Sequence, residues 1–303
     1  MIFTIKNKSG AFIEVLNYGC RIHRICVPDR DGYLRNVCLG YENPSEYRHD
    51  TEYYGAVVGR CCNLIRNAGF HLNNTHYSLA ANAGTHHLHG GPNGFSFLIW
   101  DAVKQGNKLI FRRLIPDLSD GYPGNLQMKV TYEWTENNCL NIYYEGNCDA
   151  DTVLNVTNHT YFNLTGTGKA FSSNKDVLQH ELCILADYIT EVNEELLPTG
   201  NFLPVPETCY DFRSLRPISR EYDHNFVLNG QGFRKAAVLQ SPESGIRMTC
   251  YTDQPGIQLY TEGGICLETQ HFTDAVHIPG FPSVILKAGE TFVSQTSYCF
   301  DTF

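Results

Sequence analysis

Four short polar clusters stand out in an otherwise strand-like sequence, and each contains a residue that could transfer a proton or hold hydroxyl groups. They are LHGG with His89, NHT with His159, YDHNF with Asp223 and CLETQ with Glu268. A carboxylate and an imidazole are the side chains most often used for general acid–base catalysis near neutral pH. Taken together, the clusters predict proton transfer on a neutral polar ligand.

The two carboxylates differ in their surroundings. Glu268 has only uncharged neighbours, and partial burial there would raise the pKa of its carboxyl toward the range of a general base. Asp223 could accept hydrogen bonds from two hydroxyls, which is a common way to hold vicinal diols. Taken singly, each residue also fits a plainer interpretation, as a glutamate on an edge strand and an aspartate in a turn before a strand.

His159 lies in the stretch NVTNHTYFNLTG, residues 155–166, which we predict to be one strand. The period of two of a strand separates its side chains onto two faces. One face carries Asn155, Thr157, His159, Tyr161, Asn163 and Thr165. This uncharged hydrogen-bonding face suits a polyhydroxylated ligand, although a solvated strand with a surface histidine fits the segment equally well.

No motif for a cofactor is present: the sequence lacks G-x-G-x-x-G, the Walker loop and the G-x-S-x-G elbow. His86, His87 and His89 are close in sequence, but neither a cysteine nor a carboxylate lies beside them. A hydrogen-bonding role for His89 is therefore favoured over a metal site. We predict neither a metal nor a cofactor.

The composition narrows the class of protein. Of 303 residues, 42% are hydrophobic and 18% are charged, which is typical of a globular protein. The net charge of −9 and the lack of a basic patch argue against a nucleic-acid partner. We find no apolar run long enough for a membrane span and no secretory signal, so we expect a cytoplasmic protein. The 12 cysteines form no C-x-x-C pair, and we expect them to be reduced and mostly buried.

Turn residues recur every 8–12 residues, which is typical of a sandwich or barrel. The clearest hairpins lie in 97–148, where LQMKVTYEW alternates apolar and polar residues. We predict loops at 82–95 and 167–181, one strand at 182–192, and short helical turns within 43–54 and 214–228. The fold class predicted is all-β, a large antiparallel β-sandwich with few short helices, in a single domain over 1–303.

In their order along the chain, the motifs resemble those of the aldose 1-epimerase (galactose mutarotase) family. The matching stretches are GRCCNLI (59–65), LHGG…GF (88–95), NVTNHTYFNLTG (155–166), YDFR (210–213), YDHNFVL (222–228), PGIQLYT (255–261) and ETQHFTDAVHIPGFPSVILKAGET (268–291). The resemblance covers nearly the whole chain and implies the β-supersandwich fold of the family. It also implies interconversion of the α and β anomers of a free aldose such as galactose or glucose, without a cofactor.

The resemblance implies a role for each site residue. Glu268 matches the general base of the family and His159 its general acid. The residues that match sugar-binding positions are His89, Asp223, Gln258 and Asn63. The expected partner is therefore a small-molecule sugar, with no nucleic acid and no membrane, and the expected assembly is a monomer or homodimer.

The sequence departs from the family at Leu64, which replaces an arginine. Arg60 and Arg66 fall on the same predicted strand face, and we predict Arg66 as a further sugar-binding residue. Two alternatives remain open at this stage. One is a sugar-binding protein on the same fold without catalysis; the other is a glycoside hydrolase that uses Asp223 and Glu268.

Overall fold

A computed structural model of the chain describes residues 1–168 and 179–303. Its strands, β1 to β27 in chain order, are Ile2–Lys6, Phe12–Leu16, Ile22–Pro28, Leu34–Asn36, Ala56–Val58, Leu64–Ile65, Gly69–Leu72, Thr75–Ser78, His87–Leu88, Asp101–Gln105, Lys108–Ile115, Leu126–Trp134, Cys139–Cys148, Thr152–Val153, Thr157–His159, Tyr161–Phe162, Glu181–Ile184, Ala186–Val192, Pro198–Pro204, Arg216–Pro217, Asp223–Leu228, Arg234–Gln240, Ile246–Thr252, Gly256–Tyr260, Ile265–Gln270, Ile285–Leu286 and Thr291–Thr302. The helices in these two ranges are short 3-10 turns at Pro44–His49, Arg66–Ala68, Phe95–Phe97, Ser119–Gly121 and Ala275–His277. None of these helices has the length and apolar character needed to cross a membrane.

Two large antiparallel sheets dominate the fold. The larger has nine strands in the order β10–β11–β12–β13–β27–β23–β22–β17–β20, and the second has six in the order β16–β25–β24–β21–β18–β19. Strands β1 to β4 form a third sheet, and β14–β26, β15–β5, β6–β9 and β7–β8 are isolated pairs. The prediction of a large antiparallel sandwich with few short helices is confirmed.

Alternating side chains explain how the two large sheets pack. In β12 the residues Leu126, Met128, Val130, Tyr132 and Trp134 are all buried. They belong to one hydrophobic cluster with apolar residues of the six-stranded sheet, such as Ile257, Leu259 and Leu267. The Tyr298 hydroxyl in β27 donates to the Leu267 carbonyl of β25 across 2.7 Å and links the layers. This cluster runs from Ile5 to Phe300, which supports the single domain that we predict.

The other face of the six-stranded sheet carries polar residues. Register pairs Asn225 with Gln258 and Gln258 with Glu268, so these three side chains form a row across β21, β24 and β25. Two residues along the strands, Asp223 and Tyr260 form part of a second row. Because side chains on a strand alternate, both rows lie on the same face. The strand order and register of the sheet therefore bring together predicted site residues from distant parts of the chain.

The predicted strand at 155–166 is wrong as a single element. It divides into β15 and β16 at Thr160, because β15 pairs with β5 while β16 pairs with β25. One stretch of chain thus belongs to two sheets, and both of its faces are largely buried. Asn158 donates to the Gly55 carbonyl at 3.0 Å and accepts from the Thr160 hydroxyl at 2.5 Å, so its polar groups are used internally.

Two other local predictions are also wrong. The strand at 182–192 breaks at Leu185, because β17 joins the nine-stranded sheet and β18 the six-stranded one. The helical turn expected within 214–228 is absent, and Arg216–Pro217 instead pairs with β17. The predicted loop at 82–95 contains the two-residue strand β9. Most of the loop predicted at 167–181 lies outside the described residues.

The prediction that all cysteines are reduced is wrong for one pair. Cys139 and Cys299 face each other in β13 and β27 and form a disulfide across a sequence separation of 160. Cysteine spacing along the chain could not reveal this, because only the pairing of the two strands brings the thiols together. The other ten cysteines are free, and eight of them are buried.

Candidate active site

A cavity of about 280 Å³ opens on the polar face of the six-stranded sheet. It is lined by Thr51, Glu52, Tyr53, Asn63, Leu64, Leu88, His89, His159, Tyr161, Thr190, Val192, Leu196, Asp223, Asn225, Gln258, Tyr260, Glu268 and Thr273. Six of the seven residues predicted for the site therefore line one cavity. Arg66 is the exception.

Glu268 and His159 are neighbouring titratable groups in the cavity. The Glu268 Oε1 and His159 Nε2 atoms are 3.5 Å apart, and the residues are only 2% and 5% exposed. Burial raises the pKa of Glu268 well above its usual value, and the nearby charge of Asp223 raises it further. Burial lowers the pKa of His159 to about 4. Without a ligand, the surroundings thus favour the uncharged form of both groups.

Aromatic rings enclose the His159 imidazole. The Tyr161 ring stacks on it at 4.9 Å between centroids, and the His89 ring meets it edge-on at 5.2 Å. Tyr53 contacts both imidazoles, at 4.7 Å from His89 and 6.0 Å from His159. Tyr53 has a φ of 57°, an uncommon value for a tyrosine, and nothing in the sequence singles it out.

His89 is held as a hydrogen-bond donor. The backbone N–H of Asn63 donates to His89 Nδ1 across 3.1 Å, so Nδ1 must be unprotonated. Burial lowers the pKa of His89 well below its usual value, which keeps the ring neutral. The neutral tautomer then carries its proton on Nε2 and can donate it to a ligand oxygen.

Asp223 and Gln258 lie side by side on β21 and β24. The Gln258 side-chain N–H donates to Asp223 Oδ1 across 2.6 Å. The other Asp223 oxygen is available to accept from a ligand.

Four buried polar atoms in the cavity have no hydrogen-bond partner among the described residues. They are Gln258 Oε1, Glu268 Oε2 and both polar atoms of the Asn225 side chain. Such atoms are rare unless a ligand or water satisfies them, so this group suits a ligand rich in hydroxyls. Asn225 was missed from sequence, although its position two residues after Asp223 places it on the same face.

The structure places the two candidate arginines elsewhere. Arg66 forms an ion pair with buried Asp274 and donates to the Pro198 carbonyl across 2.9 Å, so its guanidinium is already engaged outside the cavity lining. Arg60 is buried and donates to the carbonyls of Pro123 and Gly124. Neither arginine lines the cavity, so neither supplies there the guanidinium that Leu64 lacks. The sequence-based assignment of Arg66 to the sugar site stays a prediction that this geometry does not support.

The charged residues that line the cavity are all acidic: Glu52, Asp223 and Glu268. No lysine or arginine is found among the lining residues in the described part of the chain. An anionic ligand would find no lysine or arginine of the described residues to balance its charge here, whereas a neutral one would find hydrogen-bond donors and acceptors.

One group of side chains in the cavity floor could contact a metal. Ligand atoms of His159, Cys266 and Glu268 lie within 4.8 Å of one another. The Cys266 sulfur, however, lies 3.7 Å from His159 Nδ1, whereas Glu268 faces Nε2. One imidazole cannot direct both nitrogens at a single ion. The expectation of a site without metal stays a prediction.

The fold and the site together define a class of protein. A buried carboxylate and imidazole face each other beside the hydrogen-bonded pair of Asp223 and Gln258, in a cavity that no lysine or arginine of the described residues lines. This arrangement suits proton transfer on a small, neutral, polyhydroxylated molecule.

Comparison with known proteins identifies the family. The family model described as aldose 1-epimerase matches residues 1–299. Galactose mutarotase from Sus scrofa is 36% identical, with 95% of this chain and 90% of that protein covered. Aldose 1-epimerase from Escherichia coli is 31% identical, with 99% and 94% covered. The chain therefore belongs to the aldose 1-epimerase family, as the sequence motifs predict.

Solved structures agree with this assignment. A homologue of aldose epimerase from C. elegans has a TM-score of 0.93 and 28% identity, with 100% of this chain and 99% of that one covered. Galactose 1-epimerase from Lactobacillus acidophilus has a TM-score of 0.85 and 27% identity, with 99% and 94% covered. The prediction of an isomerase with mutarotase function is confirmed at the level of the family.

Proposed function

We propose that the protein interconverts the α and β anomers of a free hexose such as galactose or glucose, and that Glu268 and His159 move the protons. The observation that carries the proposal is the 3.5 Å approach of Glu268 Oε1 to His159 Nε2 within the cavity. The anomeric hydroxyl and the ring oxygen of an aldose share one carbon. Two neighbouring proton-transfer groups can therefore reach both oxygens together.

Ring opening can be written with its protons balanced. Glu268 takes the proton of the anomeric hydroxyl, and a carbonyl forms at C1. The bond between C1 and the ring oxygen breaks, and His159 gives its proton to that oxygen. The step begins with charged Glu268 and His159 and ends with both neutral. Because burial favours the neutral forms, the surroundings of the pair assist this direction.

Ring closure runs the same transfers in reverse. Rotation about the bond between C1 and C2 of the open-chain aldehyde presents the other face of the carbonyl. Neutral His159 then removes the proton from the attacking hydroxyl while Glu268 protonates the carbonyl oxygen. The pair returns to its initial charges, so no cofactor is consumed or required.

The remaining residues hold the sugar. Asp223 and Gln258 bind vicinal hydroxyls, Asn63 orients His89, and His89 donates a hydrogen bond from Nε2 toward the reacting oxygens. The hydrogen bond between Asp223 and Gln258 and the unpartnered Gln258 Oε1 support this assignment. We further propose that the protein works in the cytoplasm: its ten free cysteines favour a reducing compartment, and the single Cys139–Cys299 disulfide is the observation against it. Its assembly as a monomer or homodimer stays a prediction.

Polarimetry tests the proposal. Freshly dissolved α-galactose and α-glucose should reach anomeric equilibrium faster with the protein than in buffer alone. Retained sugar binding without acceleration on any common aldose would support the non-catalytic alternative instead. Release of nitrophenol from nitrophenyl glycosides would indicate a hydrolase.

A further inference from the structure

One wall of the cavity is aliphatic, in contrast to its polar floor. We define the aliphatic wall as Leu64, Leu88, Val192 and Leu196. Leu64 pairs with Leu88 across β6 and β9. The segment that contains Leu64 also contacts the segment after Val192, because the Arg66 guanidinium donates to the Pro198 carbonyl across 2.9 Å. The four aliphatic side chains therefore come from two segments that touch.

The Val192 end of the aliphatic wall lies far from Glu268. Val192 belongs to β18 and Glu268 to β25, and the order β25–β24–β21–β18 separates them by three inter-strand spacings. At about 4.8 Å each, these spacings put the two backbones roughly 14 Å apart. The other end, Leu64 and Leu88, adjoins Asn63 and His89, and the His89 ring lies 5.2 Å from that of His159. A sugar whose C1 lies at Glu268 and whose ring oxygen faces His159 thus directs the substituent on C5, which is next to the ring oxygen, toward the aliphatic wall.

The chemistry of that wall selects what can be buried against it. The four side chains offer no hydrogen bond, and no lysine or arginine among the described residues lines the cavity. A hydroxyl or phosphate against the wall would lose water without gaining a partner, whereas a methyl group would gain from leaving water. Arg66, the nearest arginine in sequence, is already paired with Asp274.

Building on the proposed function, we infer that the preferred substrates are aldoses with an apolar substituent on C5. The simplest such sugars are 6-deoxyhexoses. Leu64 is the residue that sets this preference, because it joins the aliphatic wall to Asn63 and the His89 side of the cavity. Sugars with an anionic group on C6 are excluded.

Polarimetry with paired sugars tests the preference. The value of kcat/KM should be about 10-fold higher for 6-deoxygalactose than for galactose, the usual effect of one small group in an apolar pocket. Galactose 6-phosphate and galacturonate should not be accelerated above buffer. A ratio of one or less, or acceleration of either anionic sugar, would overturn the inference while leaving mutarotase activity intact.

Variants of Leu64 then test the residue itself. Leu64→Gln, of similar length but polar, should lower the ratio toward one, and Leu64→Met should keep it. The ratio is measured on one preparation, so the fraction of folded enzyme cancels. An unchanged ratio in Leu64→Gln would contradict the role of Leu64. Failure of the wild-type protein to accelerate any aldose would instead overturn the proposed function, and this inference with it.

Discussion

At the scale of single residues, burial gives Glu268 and His159 their chemistry. Each is almost fully buried and therefore resists carrying a charge, and the charge of Asp223 adds to this effect at Glu268. A carboxyl with a raised pKa beside an imidazole with a lowered pKa shares one proton over a wide range of pH. With one proton between them, one group can protonate the ring oxygen of a sugar while the other accepts the proton of the anomeric hydroxyl.

His159→Asn should lower kcat for mutarotation by roughly 10²–10⁴-fold, the usual size of a general acid–base contribution. KM should change much less, because the proton transfer occurs in the transition state. The matched control is His71→Asn, which removes an exposed imidazole outside the cavity lining. A wild-type kcat in His159→Asn would exclude His159 as the acid.

The pH dependence of kcat/KM should follow the shared proton. Below about pH 4 His159 becomes protonated while Glu268 keeps its own proton, so the pair holds two protons. Above the raised pKa of Glu268 the pair holds none. The rate should therefore fall on the acid side near pH 4 and persist well above the usual pKa of a glutamate. In Asp223→Asn the rate should drop, but the acid limb should stay in place. An acid limb near pH 6.5, as for an exposed histidine, would contradict the burial argument.

At the scale of elements, strand register brings the site together. Glu268, Gln258 and Asn225 lie in one row because β25, β24 and β21 pair in register. A slip of one residue in β25 would turn Glu268 into the hydrophobic core. The segment before β5 has its own support: Arg21 is fully buried and pairs with Asp50, three residues before Tyr53.

Arg21→Met should lower the free energy of unfolding by about 3–5 kcal/mol, because Asp50 would remain as a buried charge without its cation. The Arg21 side chain also donates to the Tyr54 carbonyl at 3.1 Å, so the segment around Tyr53 should loosen. Urea unfolding provides the measurement. The matched control is Arg24→Met, which removes a partly exposed ion pair with Glu14 and should cost less than about 1 kcal/mol. An equal decrease in the free energy of unfolding in both variants would contradict the importance of burial.

The elements also show what sequence patterns can and cannot predict. Alternation in β12 predicted its buried face correctly, because one side of that strand faces the core along its whole length. The same rule failed at Thr160, where the chain changes its partner strand and both faces are covered. Local periodicity describes the environment of a strand but contains no information on which strand pairs with it.

At the scale of the whole molecule, the disulfide joins strands that are far apart in sequence. Cys139 and Cys299 close a loop that covers about half of the chain. A cross-link over so many residues restricts the unfolded chain strongly. The disulfide joins two neighbouring strands of the nine-stranded sheet, and the inner face of this sheet contributes to the main hydrophobic cluster.

The double variant Cys139→Ala/Cys299→Ala should lower the free energy of unfolding by about 2–4 kcal/mol, mainly through greater freedom of the unfolded chain. Thermal unfolding without reductant provides the measurement. Cys183→Ala, which removes a free and half-buried thiol, is the control and should have a small effect. The same stability in the double variant and the wild-type protein would show that the disulfide does not contribute.

The whole fold also explains which site residues could be predicted. Glu268, His159, Asp223, His89, Gln258 and Asn63 lie in motifs that resemble the family, and all six line the cavity. Arg66 does not line the cavity, and the sequence could not show this because its partner, Asp274, is more than 200 residues later in the chain. Tyr53 and the aliphatic wall were missed for a similar reason, since their roles depend on segments that only the folded chain brings together.

The most direct test of the account is the rate at which Glu268→Gln equilibrates freshly dissolved α-galactose, followed by optical rotation. The substitution keeps the shape of the side chain and removes its ability to accept the proton. We expect a rate roughly 10²–10⁴-fold below that of the wild-type enzyme. The control is Glu52→Gln, which alters another carboxylate lining the same cavity and should lower the rate far less. A Glu268→Gln enzyme as fast as the wild type would contradict the central claim that Glu268 and His159 move the protons.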